Sequence, residues 1–119
     1  HMMFMGSKNI GRFKIGEYTE RAGGNFNAST SYDVTTYFHN IPSNYLDMIL
    51  WAEADRLSGL EISEESFETQ RAAVKSEKDR SENIPYSKIF QEQFLPDLFP
   101  GTKYVTPVIG SLDDLNAAR

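Results

Sequence analysis

Residues 22–42 read AGGNFNASTSYDVTTYFHNIP. From Asn25 to Ile41, Thr, Tyr, Val and Phe alternate with polar residues, the period-two pattern of one or two half-buried strands. Gly23 and Gly24 supply the turn into the segment, and Pro42 ends it. The other patterned stretches of the chain read as helices, so this one makes the fold class α+β, an antiparallel-type sheet flanked by helices.

Working outward, GEYTERAGG predicts a short helix from about Glu17, closed by Gly23 and Gly24. HMMFMG reads as the last turn of a helix stopped by Gly6, followed by a polar loop through Lys8 and Asn9. Beyond Pro42, Ser43 can cap a helix whose Leu46, Ile49, Leu50, Ala54 and Leu57 share one face, ending at Gly59. Ser63 is the N-cap of a second long helix, with glutamates in its first turn and Pro85 beyond it. SKIFQEQFLPDLFPG predicts an aromatic-rich helix or pair of turns broken at Pro96 and Pro100. A last helix begins near Ser111 and runs to Arg119 with no Gly or Pro terminator. The expectation is a chain cut at both ends.

At 119 residues the chain has the length of one domain, and 39% apolar with 13% aromatic residues suits a folded protein. A net charge of −5 without a basic cluster argues against nucleic acid as a partner. The absence of cysteine excludes disulfides and thiolate metal sites. No run reaches the roughly 18 apolar residues of a membrane span.

In the helix from Ser63 to Glu82, Gln70, Ala73, Val74 and Glu77 lie on one side. A carboxylate on a half-buried side is solvated, paired with a cationic side chain or bound to a metal. A leading His1 is by itself either a tag remnant or a solvated side chain. His39 reads as an ordinary exposed or half-buried strand residue, and Tyr32 and Tyr37 as packing residues.

Four separated stretches carry a resemblance: HMMFMGSKN at 1–9, AGGNFNASTSYDVTTYFHNIP at 22–42, QRAAVKSEKDR with NIPY at 70–86, and IGSLDDLNAA at 109–118. In order and spacing they resemble the pitrilysin and insulinase-type zinc metallopeptidases, most closely the bacterial, processing-peptidase-like branch. That family carries the inverted motif His-x-x-Glu-His. Its two histidines bind zinc, its Glu is the general base, and a further Glu some 76 residues after the second His completes the site. The second His is typically followed by Met-x-Phe-x-Gly, as His1 is here, and 76 positions on from His1 lies Glu77.

The resemblance thus implies His1 and Glu77 as ligands of Zn2+, with His-x-x-Glu upstream of His1. A metal-activated water would attack the scissile carbonyl of an extended peptide or unfolded protein. Without its general base the fragment alone should be inactive. Many members carry a second Glu seven residues before the ligand; here that position is Gln70, a candidate hydrogen-bond partner of the metal site. The resemblance also places Asn27, Ala28, Ser29 and Thr30 on an edge strand that takes substrate as an added strand. It implies that 1–119 is part of an N-terminal catalytic domain, with a second homologous domain or subunit closing the cleft. The rival expectation is a non-catalytic paralogue acting as a binding or assembly subunit.

Overall fold

In the computed structural model, which describes residues 1–119, the stretch 22–42 forms an antiparallel hairpin of β1 (Asn25–Thr30) and β2 (Thr35–Asn40). Phe26 faces His39 and Ala28 faces Tyr37 across the ladder, and these four form the inward, half-buried side. Asn25, Asn27, Ser29 and Phe38 point outward, as the pleat requires. Ser31 N–H donates to Val34 O at 2.9 Å and closes the turn. Tyr32 lies in that turn and is 40% exposed, while Tyr37 packs inward against Phe4.

The chain divides into two compact units, His1–Gln70 and Arg71–Arg119. In the first, α1 (Lys14–Arg21) starts three residues ahead of the expected Glu17. Buried Ile15 anchors its first turn, and Glu17 pairs with both Lys14 and Arg21. The helix ends as expected. Gly23, at φ 81°, and Gly24 donate to Glu20 O and Thr19 O at 2.9 Å each, a Schellman closure. A Cβ on Gly24 would lie 2.2 Å from Asn40 O, so only glycine lets the helix end pass this close to β2.

Helix α2 (Leu46–Gly59) departs further from its pattern. Ser43 begins a 3-10 turn, Ser43–Tyr45, and makes no capping bond. The buried side is Ile49, Ala52, Asp55 and Arg56, whereas Leu46, Leu50 and Leu57 of the apolar row are more than half exposed. Ser7 and Asn9 of the neighbouring turn claim Asp55, while Arg56 pairs with Glu53 and lies over the Phe26 and Tyr37 rings of the hairpin, and that outweighs the hydrophobic period. The core of this unit is Ile10, Ile15 and Ala52 with Phe26 packed on it. Burying one such isoleucine is worth about 1.5–3 kcal/mol.

Helix α3 (Glu64–Glu82) begins at a reciprocal cap. Ser66 N–H donates to Ser63 Oγ at 3.2 Å, and Ser63 N–H donates to Ser66 Oγ at 3.0 Å. In the second unit, α4 (Ser87–Ile89), a π turn (Phe90–Phe94) and α5 (Leu95–Leu98) follow one another without a gap. The expected break at Pro96 does not occur: the wider π turn just before it relieves the crowding its ring would cause in a regular α-helix. Ser111 caps α6 (Leu112–Ala117), accepting from Asp114 N–H at 3.0 Å. Lys78 reaches Gly110 O at 3.1 Å just ahead of that cap.

Candidate functional site

His1 enters a single 3-10 turn, Met2–Phe4, that ends on buried Met5. The chain then folds back at Ser7–Ile10, where Ser7 N–H donates to Ile10 O at 2.8 Å. Two backbone bonds fasten this stretch to the end of α2: Lys8 N–H to Gly59 O at 2.8 Å and Glu61 N–H to Gly6 O at 3.0 Å.

The Asp55 side chain makes the stronger fastening. It accepts from the Ser7 hydroxyl and the Asn9 carboxamide at 2.5 Å each, and from Asn9 N–H at 3.0 Å. The Ser7 bond leads in holding its carboxyl below the usual range, joined by Asn9 and the charge of Lys8, against the opposing effect of burial.

Gln70, near the middle of α3, meets the other end of the stretch. Its Oε1 lies 3.2 Å from His1 Nδ1, and its Nε2 donates to Met5 Sδ at 2.9 Å. In this orientation the carboxamide presents its oxygen to the ring and its NH2 group to the thioether. His1 Nδ1 is therefore the donor in this bond, and Nε2 is the nitrogen suited to a metal. Glu77 stands seven residues, or two turns, further along α3 and belongs to the second unit. Imidazole and carboxylate are both zinc donors. No group of three or more His, Cys, Asp or Glu side chains in this chain could hold a metal ion.

Asn27, Ala28, Ser29 and Thr30 all fall on β1, which pairs with β2 on one side and with no strand on the other. Asn27, Ser29 and Thr30 are exposed; Ala28 turns inward. The Ala28 N–H donates to Asn27 Oδ1 at 2.8 Å, so the preceding side chain covers that backbone donor.

Sequence reasoning missed three residues that hold this arrangement: His39, Asp55 and Arg56. His39 is an enclosed strand residue, its side chain only 7% exposed. Asp55 and Arg56 left one usable trace, an adjacent acid–base pair near the end of a helix, with short polar residues, Ser7 and Asn9, elsewhere to receive the acid.

A family model described as Insulinase (Peptidase family M16) matches residues 1–111. The chain is 31% identical over 116 residues to the zinc protease PqqE of Helicobacter pylori, covering 97% of this chain and 26% of that protein. An uncharacterized zinc protease of Streptomyces coelicolor is 26% identical over 117 residues, 98% of this chain and 25% of its own length. A crystal structure of a protease from Helicobacter pylori superposes with a TM-score of 0.90 at 28% identity, over all of this chain and 29% of that one. The chain thus spans about a quarter of the curated relatives it matches.

Proposed function

The chain belongs to the insulinase family of peptidases, peptidase family M16, and on that premise we propose that it is the metal- and substrate-binding part of a zinc endopeptidase. The observation that carries the proposal is the contact between His1 Nδ1 and Gln70 Oε1. It leaves the other ring nitrogen in the form that binds a metal, and Gln70 lies on the helix that also bears Glu77.

Zinc is the metal named for the relatives. His1 and Glu77 would hold it, and Gln70 would fix the His1 ring. Bound zinc supplies an acidified water and polarises a peptide carbonyl. By the family resemblance, the general base and a third ligand would come from a His-x-x-Glu segment of the parent protein.

Substrate lies as an extended strand along the open edge of β1 at Asn27–Thr30. There an incoming carbonyl replaces the Asn27 side chain on the Ala28 N–H. A second homologous domain or subunit closes the cleft from the other side. The exposed apolar row of α2, with Leu46, Leu50 and Leu57, offers packing surface for the rest of the parent protein. No helix of this chain is long and apolar enough to cross a membrane.

The test is to read the coding sequence just ahead of His1 and to assay the parent protein on an unfolded polypeptide, with a chelator and after zinc is restored. His-x-x-Glu, together with hydrolysis lost to the chelator and regained with zinc, is the expected result. A different upstream sequence with no hydrolysis favours the non-catalytic paralogue.

A further inference from the structure

Phe4 closes the turn that His1 opens: its N–H donates to His1 O at 3.0 Å. Its carbonyl accepts from Phe13 N–H at 3.2 Å, so the backbone here is held from both sides. The half-buried ring meets the inward side of the hairpin. Its centroid lies 4.8 Å from that of Phe26 on β1, with the planes tilted by 39°, and 5.9 Å from that of Tyr37 on β2, tilted by 52°. Both separations fall in the range where tilted aromatic pairs attract.

The two rings that Phe4 meets are themselves held in place. Phe26 stacks on the His39 ring at 4.2 Å and 3°. The Arg56 guanidinium of α2 lies over Tyr37 at 4.7 Å and over Phe26 at 5.8 Å, and the Glu53 carboxylate holds that guanidinium in turn. Phe26 directly precedes Asn27, and Tyr37 faces Ala28 across the ladder. A short path of bonded and packed groups therefore runs from His1 through Phe4 to the first two residues of the proposed substrate edge.

We infer that Phe4 is a positioning residue: its ring locks the turn carrying His1 to β1 and so fixes the separation between the metal ligand and the edge that takes substrate. Gln70 sets which way the His1 ring faces; Phe4 sets where its turn lies against the sheet. The use of this coupling in catalysis rests on the proposed function; the coupling of turn to strand does not. A peptide laid along β1 keeps its main-chain bonds when the turn shifts, and only the reach of its scissile carbonyl toward the metal is spoiled. An error in that separation therefore costs rate rather than affinity. Leucine at position 4 keeps an apolar side chain but has no ring to pair with Phe26 and Tyr37.

The experiment compares the parent protein with its Phe4→Leu and Phe26→Leu variants, by amide hydrogen exchange and by steady-state kinetics on an unfolded polypeptide. Exchange needs neither zinc nor activity, and each substitution should reach across to the other element. Phe26→Leu speeds exchange in the turn at 1–6 and Phe4→Leu speeds it in β1, about tenfold in each case, with the first turns of α3 unchanged. In the kinetics, Phe4→Leu keeps its zinc and its KM while kcat falls about tenfold, and the double variant loses no more than the worse single one. Equal acceleration in α3 as well, or none across the Phe4–Phe26 contact, overturns the inference. So does an unchanged kcat in a parent that hydrolyses peptide, or a fall in kcat matched by lost zinc. If the exchange results hold and the wild-type parent hydrolyses no peptide, the coupling of turn to strand stands and the proposed function fails.

Discussion

The Gln70 carboxamide meets the His1 ring at Nδ1, 3.2 Å away, while its other end donates to the sulfur of buried Met5. One side chain in the middle of α3 therefore fixes both the ring and the turn that carries it. The neutral amide offers the ring an acceptor without a charge.

Replacing Gln70 with Leu removes the acceptor while keeping the volume. In the parent protein, zinc affinity should fall about 10–100-fold, the usual cost of losing a partner of a ligating histidine. Gln70→Glu should hold or raise it. Competition titration with a chelating dye reads both; equal affinities in all three proteins would remove Gln70 from the account.

Asp55 and Glu53 are both held below the ordinary carboxylate range in the folded chain. Folding thus favours their ionised forms. That contribution is complete above the unfolded carboxylate pKa and is lost as pH falls through the lowered values. Urea midpoints measured from pH 7 down to about pH 3 should decline. Asp55→Asn should start lower at neutral pH and decline less steeply, because one of the two groups no longer titrates. A slope equal to wild type would mean that the Ser7–Asn9 clasp carries no linkage.

Ser63 and Ser66 cap α3 reciprocally. Ser63→Ala should cost about 1 kcal/mol of stability by denaturant unfolding, with no change in zinc affinity beyond what global unfolding explains. A neutral result would show that the helix start is held by its neighbours and not by the cap.

Local rules made some of this legible and long-range ones did not. The strand pattern, the Gly23–Gly24 helix stop, the Ser63 cap and the helix start near Ser111 depend on residues within a few positions of one another, and each was readable. The buried side of α2 was not, because Asp55 is claimed by Ser7 and Asn9 more than forty positions away. Pro96 misled for a related reason: a proline rule assumes a regular α-helix, and the π turn before it changes the geometry. At the site, resemblance marked His1, Gln70 and Glu77, but neither pattern nor resemblance marked His39. Its enclosure follows from Thr19 and Glu53 closing on it from two different helices.

The central claim is that His1 and Glu77 hold a catalytic zinc, and the most direct measurement is metal content together with peptide hydrolysis of the parent protein and its Glu77→Gln variant. The account predicts one zinc per chain in the wild type, with bound zinc lowered and hydrolysis abolished in the variant. Full zinc content and wild-type hydrolysis in Glu77→Gln would contradict it.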